Sequence, residues 1–352
     1  MRHFLSIFLF FFILASCKKT DNPDPFNPRV PPPSGTTVSR PGSIGIIGDT
    51  TDVQTTTKGG LVIMGGGTDV DAAFRWMIDR SGGGDVVIIR ATGTDAYNNY
   101  VFKLGKVNSV ETIKIDSRKL AENDGVAQII RNAEMLFIAG GDQSDYTGYW
   151  KGTKVMDAIN YLLNVKKVPV GGTSAGAAIL GNYYFSGERN SVTSASALAN
   201  PYSNDITLYK DDFLKAPFMQ KIITDQHFSQ RDREGRLTVF LARIMDEWNI
   251  QPLGIAVDEK TAVCIDDNGM AETMGDNFAF FLKTFSNKTP EVLLQNKPLT
   301  WNWEGKALWV SRISGKAVGN QFNVGTFEPV NDIGLQTSWW SAVSGKMFFI
   351  NN

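Results

Sequence analysis

The chain has 352 residues, 42% of them apolar and 20% charged, and a formal net charge of −1. This is the composition of an ordinary folded protein, long enough for one large α/β domain with an appendage or for two domains. So balanced a charge argues against nucleic acid as a partner, which would require a basic surface.

Met1-Arg-His is followed by an apolar run from Phe4 to Leu14, broken only by Ser6, and then by Leu14-Ala-Ser-Cys17. A short basic start, an apolar core too short to span a membrane and small residues before a processing point make an export signal. The Leu-Ala-Ser-Cys ending resembles the bacterial lipobox. That resemblance implies a lipoprotein signal peptide over 1–16, cleavage before Cys17 and lipid on its thiol. Several acyl chains on one residue would anchor the protein stably. The expected location is the bacterial cell envelope, lipid-anchored to a membrane and facing the periplasm or the exterior. Residues 17–42, rich in Asn-Pro and Asp-Pro and containing Pro31-Pro-Pro33, read as an extended tether. With Cys17 lipidated, Cys264 has no partner for an intramolecular disulfide. One Cys and one His cannot supply a usual zinc shell, so no metal site is expected, an all-carboxylate ion site excepted.

Strand and helix patterns then alternate. Gly60–Met64 is a buried strand ending at Gly65-Gly-Gly67, and Val70–Arg80 is a helix with Asp69 or Thr68 as its cap. Asp85–Arg90 is the next strand, Thr112–Asp116 a weaker one, and Gly125–Ala133 a helix. Met135–Ala139 is a strand ending at Gly140-Gly141, Thr153–Asn164 a helix, and Val168 opens a further strand. Short apolar strands separated by helices predict a mainly parallel sheet flanked by helices, with ligands at the carboxyl ends of the strands. Three of these strands end there in glycine clusters, which places one pocket beneath three loops. The run Ile222–Phe228, apolar and then polar, reads as the C-terminal end of another strand; a helix over Arg231–Asp246 follows, then strands at 254–257, 262–265 and 271–274, with a hairpin at Asp267-Asn-Gly269. From 287 the composition shifts to Trp, Asn, Ser, Val and scattered Gly, read as a small β-rich C-terminal appendage over 287–352. Residues 43–286 form the main domain.

Gly172-Thr-Ser-Ala-Gly176 fits G-x-S-x-G, in which a nucleophile sits on a sharp strand-to-helix turn between small residues. A serine hydroxyl is a poor nucleophile near neutral pH without a positioned base. The chain has two histidines, and His3 lies in the segment expected to be removed. His227, at a strand end, is then the only imidazole available as that base. Gly65-Gly-Gly67 matches neither a dinucleotide fingerprint nor a Walker loop, so no cofactor is expected. An oxyanion-hole loop is the better reading of it.

In chain order, Gly140-Gly-Asp-Gln143, Gly172-Thr-Ser-Ala-Gly176 and Asp225-Gln-His-Phe228 precede Arg231-Asp-Arg233 with Gly235-Arg-Leu237, and then Asp258-Glu-Lys-Thr-Ala262. This set resembles the cyanophycinase branch of the S51 serine peptidases, over about Gly60 to Phe281. The resemblance implies a fold similar to class I glutamine amidotransferases, with Ser in place of the usual Cys nucleophile. It implies Ser174 as nucleophile, His227 as base and Glu259 as the acid that orients the imidazole, with Asp225 as the rival for that last role. It also implies oxyanion donors at Gly66, Gly67 and Ala175, and substrate contacts at Gln143, Asp225, Arg231, Arg233 and Arg236. Guanidinium forks suit a carboxylate, so the expected substrate is a peptide or isopeptide bond next to an aspartyl residue. The sequence departs from the pattern in having no basic residue in Ser144-Asp-Tyr-Thr-Gly148, which puts cyanophycin itself in doubt as substrate.

Two other readings stay open at this stage. An α/β-hydrolase esterase also uses G-x-S-x-G, with an acid such as Asp205, Asp211, Asp212 or Asp225 lying between Ser and His in sequence. A non-catalytic lipoprotein would use the pocket to bind peptide. The sequence does not fix the oligomeric state, a homodimer included.

Overall fold

The computed structural model describes residues 40–352. The signal peptide, Cys17 and all but the last residues of the tether lie outside the described residues. The chain runs through β1 (Ser43–Gly48), β2 (Gly60–Met64), α1 (Asp71–Ser81), β3 (Asp85–Arg90), α2 (Ala96–Leu104) and β4 (Ser109–Lys114). Next come α3 (Arg118–Ala121), α4 (Asp124–Asn132), β5 (Met135–Ile138), α5 (Gln143–Trp150), α6 (Lys154–Tyr161) and β6 (Pro169–Thr173). Then follow α7 (Ala175–Ala178), β7 (Tyr183–Phe185), α8 (Ser194–Ala199), β8 (Leu208–Lys210), β9 (Ile222–Gln226) and α9 (Glu234–Trp248). The rest is strand: β10 (Leu253–Val257), β11 (Thr261–Asp266), β12 (Met270–Gly275), β13 (Phe278–Lys283) and β14 (Leu308–Ser314). β15 (Phe322–Asn323), β16 (Glu328–Pro329), β17 (Leu335–Val343) and β18 (Lys346–Asn351) complete it.

The first sheet has the order β1-β4-β3-β5-β6-β2-β11-β12-β15-β16, and its centre, from β4 to β2, is parallel. Its strands are buried on both faces, which is why they read as unbroken apolar runs. Leu61, Ile63, Val87, Ile89, Leu136 and Ile138 face one core together with Ile130 of α4 and Ile159 of α6. The alternate residues Val62, Met64, Val86, Ile88, Met135 and Phe137 face the other, against Phe74 and Met77 of α1. The α/β expectation is met, and the three glycine-ended strands β5, β6 and β2 are neighbours.

A second sheet, in the order β18-β17-β14-β13-β10-β9-β7-β8, was not anticipated. Ile255, Val257 and Phe281 of its inner face join the same core as Leu61 and Ile63 of the first sheet. Its other face is covered by Leu237, Phe240, Leu241 and Ile244 of α9. The segment 287–352 is β-rich as expected, and it lengthens both sheets: β14, β17 and β18 continue the second outward from β13, and β15 with β16 borders β12 in the first.

Local differences have local causes. The strand expected at 112–116 lies at 109–114, paired with both β3 and β1. Neither Asp69 nor Thr68 caps α1, whose N-cap is Val70; the Asp69 carboxylate instead accepts the Tyr97 hydroxyl at 2.6 Å. The helix expected from Arg231 starts at Glu234, because Ser229–Arg231 form a 3₁₀ turn and Asp232 takes a left-handed conformation (φ 50°) that interrupts the path. Among the described residues no helix is long and apolar enough to cross a membrane.

Candidate active site

Ser174 stands between β6 and α7 with φ 52° and ψ −119°. A side chain in that region costs on the order of 1–3 kcal/mol and persists only where its surroundings impose it. Here its N–H donates to the Met64 carbonyl at 3.2 Å, and its own carbonyl accepts the N–H groups of Ala177 and Ala178 at 3.0 Å each. The motif's last glycine has a steric reason: a Cβ on Gly176 would lie 2.1 Å from the Ile138 carbonyl oxygen. Only a bare backbone lets α7 press against the end of β5.

His227 follows β9 with φ 50°, its N–H donating to the Gly65 carbonyl at 2.7 Å. Glu259 lies in the short crossover from β10 of the second sheet to β11 of the first. Ser174 thus comes from one sheet, His227 from the other, and Glu259 from the strand-to-strand passage between them. The Ser174 Oγ is 2.7 Å from His227 Nε2, and His227 Nδ1 is 2.6 Å from Glu259 Oε1. Asp225, the rival acid, bonds Arg236 and makes no hydrogen bond to the imidazole.

This arrangement fixes the tautomer. A carboxylate oxygen only accepts, so the imidazole proton sits on Nδ1, leaving the Nε2 lone pair to accept from the serine hydroxyl. Burial holds the His227 pKa below its ordinary value; the hydrogen bond and charge of Glu259 oppose this, and the charges of Arg231 and Arg233 reinforce it. The imidazole is therefore neutral at neutral pH, the state a base requires.

The Gly65–Gly67 loop closes over the pair. A Cβ on Gly66, which has φ 91°, would fall 2.3 Å from the imidazole Cε1. The Gly66 carbonyl accepts the Lys260 N–H at 3.0 Å. In a trans peptide C=O and N–H point oppositely, so the Gly67 N–H is turned away from Lys260. The Ala175 N–H, at the first position of α7, lies outside that helix's own ladder. A Cβ on Gly140 would lie 3.4 Å from the Ser174 Cβ, so the third glycine cluster reaches the same place.

Two residues with no role legible in the sequence hold the backbone of the acid, and a third, Asp258, braces its surroundings. Gln230 Oε1 accepts the Glu259 N–H at 2.8 Å, and Asn277 Nδ2 donates to the Glu259 carbonyl at 2.9 Å. Buried Asp258 accepts the Ser229 N–H at 2.8 Å and the Phe278 N–H at 3.3 Å, tying the turn after His227 to β13. Asp258 belongs to the Asp-Glu-Lys-Thr-Ala stretch, while Gln230 and Asn277 are brought in by loops distant in sequence and leave no local pattern.

The expected substrate contacts separate into two groups. Asp225 and Arg236 are a correction: their side chains are 1% and 5% exposed, and they bind each other. Arg236 Nε donates to Asp225 Oδ2 at 2.8 Å and Nη2 donates to Oδ1, beside the stacked rings of Phe185 and Phe240. A charge taken out of water requires a partner, and each residue has found it inside the protein rather than in a substrate. Arg233 is half-buried; its Nη1 donates to the Gln226 carbonyl at 2.6 Å and reaches Asp225 at 3.4 Å, and burial pulls its guanidinium down to about 10. Arg231 is exposed and makes no ion pair among the described residues. Gln143 opens α5, and its amide lies against Gly187 beyond β7 rather than bonded to Ser174, His227 or Glu259.

The chain is similar to known proteins. The chain is 27% identical over 175 residues to the cyanophycinase of Trichormus variabilis, covering 50% of this chain and 53% of that protein. It is 25% identical over 181 residues to the cyanophycinase of Geminocystis herdmanii, covering 51% and 60% respectively. It thus spans about half the length of the first of these relatives. Among solved structures, a peptidase from an acI-B1 Actinobacterium aligns with TM-score 0.47 and 16% identity over 74% of this chain and 98% of that one. The model of peptidase family S51 matches residues 61–273, the stretch that carries Ser174, His227 and Glu259, and the chain belongs to that family.

Proposed function

We propose that the protein is a serine-type peptidase in which Ser174 is the nucleophile, His227 the general base and acid, and Glu259 the carboxylate that orients the imidazole. One observation carries this reading: Oγ, Nε2, Nδ1 and Oε1 form a continuous relay with gaps of 2.7 and 2.6 Å. The Ser174 Oγ attacks the scissile carbonyl carbon as its proton passes to His227 Nε2. The resulting oxyanion accepts hydrogen bonds from the N–H groups of Ala175 and of Gly66 or Gly67. The C–N bond then breaks and the proton on Nε2 goes to the leaving amine. Water attacks the acyl-enzyme, gives its proton to His227, and the returning proton restores Ser174 with release of the acid.

The substrate we infer is a peptide or isopeptide bond beside an acidic, aspartyl-type group. Arg231 is exposed, Arg233 is half-buried, and both charges are felt at His227. A substrate carboxylate near the scissile bond would meet them without displacing an internal partner of Arg231. The relatives are cyanophycinases, which is consistent with aspartyl chemistry; a basic residue is missing from 144–148, so a small aspartyl peptide is preferred over cyanophycin. An esterase with Asp225 as its acid is disfavoured by the engagement of Asp225 with Arg236.

The test is labelling by a fluorophosphonate probe together with turnover of β-aspartyl and α-linked dipeptide libraries. Wild type should label on Ser174 and hydrolyse aspartyl peptides, and Ser174→Ala and His227→Ala should each abolish turnover while the fold persists. Because nucleophile and base act as one unit, either loss removes the same step. Turnover by His227→Ala close to wild type would sink the mechanism.

A further inference from the structure

The C-terminal strands build a second recess. A cavity of about 300 Å³ lies where the start of α9 meets β13, β14, β17 and β18, walled by Ser229, Glu234, Phe280, Arg312, Trp340 and Phe349. An adjoining hollow shares Arg312 and Gln336 as walls. Much of this wall lies beyond residue 273, where the family match ends.

The charges in it are incompletely satisfied. The Arg312 guanidinium stacks 3.4 Å from the Phe278 ring centroid, and its Nη1 donates to Gln336 Oε1 at 3.3 Å. Its Nε is shut off from solvent and has no hydrogen-bond partner. Glu234 Oε2 is in the same condition. The two side chains form no ion pair among the described residues, although the charges of Asp258 and Glu234 are both felt at Arg312; burial and the carboxylates of Asp232, Asp258 and Asp225 push the Glu234 pKa up, so an ammonium beside it would be favoured. Buried polar atoms of native proteins normally have partners, and two orphans bordering one recess mark a place where the protein's own groups leave Arg312 and Glu234 incompletely paired; the Arg312 Nη2, which has no hydrogen bond among the described residues, is the donor open to an occupant. The apolar part of the wall is aromatic, with buried Phe280 and Trp340 and with Phe349 at the rim, 5.2 Å from Trp340 and edge-on to it; Ser229, Thr337, Ser338 and Asn351 are among its polar part.

We propose that this recess binds a small zwitterion with an apolar side chain, a free amino acid or a short peptide with both termini charged. Its carboxylate meets Arg312, its ammonium meets Glu234, and its side chain lies against Phe280, Trp340 and Phe349. A simple anion would satisfy Arg312 and leave Glu234 facing like charge. A neutral polyol would compensate neither charge. The site is also joined to the catalytic segment: Ser229 in its wall is two residues from His227, and its N–H is held by Asp258, the neighbour of Glu259. The proposal stands independently of the peptidase reading, since binding is measured without turnover.

The experiment uses the full chain carrying Ser174→Ala, so that a peptide probe survives. L-phenylalanine and the dipeptide Leu-Phe are titrated calorimetrically, with N-acetyl-phenylalaninamide as the uncharged control. Saturable binding of the zwitterions is expected, weakened about tenfold or more by Arg312→Gln and by Glu234→Gln, because each removes a charge-assisted hydrogen bond. Arg312→Lys, which keeps the charge, should retain part of the affinity. Trp340 supplies a readout that needs neither charge substitution: the zwitterions should change tryptophan emission, and Trp340→Phe should remove that change. No binding at millimolar probe, equal binding of the uncharged control, or unchanged affinity in both charge variants would overturn the proposal.

Discussion

Arg236 and Arg231 lie five positions apart, and the structure assigns them opposite consequences when the charge is removed. Arg236→Gln would strand Asp225, 1% exposed, without its bidentate partner. Breaking a buried pair by removing one member typically costs about 3–5 kcal/mol, because the other charge remains buried and unpaired. Over the roughly 310 described residues, an unfolding entropy of about 2.1 cal/mol/K per residue gives about 0.65 kcal/mol/K. The expected loss is therefore about 5–8 °C in Tm. Because Arg233 still reaches Asp225, at 3.4 Å, the lower part of that range is the better expectation. Selectivity between acidic and neutral substrates should not change. The paired change Asp225→Asn with Arg236→Met should recover part of the loss, since no lone charge is left buried. Arg231→Gln should do the reverse: it is exposed and unpaired among the described residues, so Tm should hold while kcat/KM for the acidic substrate falls roughly ten- to a hundredfold relative to its amide. Scanning calorimetry and matched-substrate kinetics measure both arms. An Arg236→Gln protein with wild-type Tm and lost acid selectivity would refute the assignment.

The pH dependence supplies a test of sign. Activity needs neutral His227, so kcat/KM should fall as pH drops through its pKa, with the acid limb below about 6.5 because burial holds the group down. Glu259 raises that pKa, so Glu259→Gln should move the limb to still lower pH and also reduce kcat, by as much as about 10⁴-fold where such a carboxylate fixes the tautomer. Arg231 lowers the pKa, so Arg231→Gln should move the limb upward; shifts in the same direction for both variants would contradict the electrostatics. Gly66→Ala should cost most of the activity, since its methyl would sit 2.3 Å from the imidazole in a backbone region unfavourable to alanine, and a wild-type rate would show that the loop does not close on His227.

The sequence by itself determined the parts of this protein that depend on neighbours along the chain. Apolar runs such as Leu61-Val-Ile-Met64 and Met135-Leu-Phe-Ile138 declare strands buried on both faces, and the small residues around Ser174 declare a turn that only small side chains permit. The scarcity of histidine singled out His227 before any geometry was available. Tertiary structure decided everything that depends on residues meeting from far apart. Periodicity carries no record of which strand joins which sheet, so the second sheet and the use of 287–352 to lengthen both were not legible. The same is true of the arginines after His227. Their shared spacing and charge suggested a shared purpose, yet Arg236 falls on the face of α9 that packs on β9 and meets Asp225, while Arg231 sits in the turn before the helix and faces water. A charge near a site binds substrate only if nothing inside the protein reaches it first, and that is settled by which partners the fold brings within hydrogen-bonding distance.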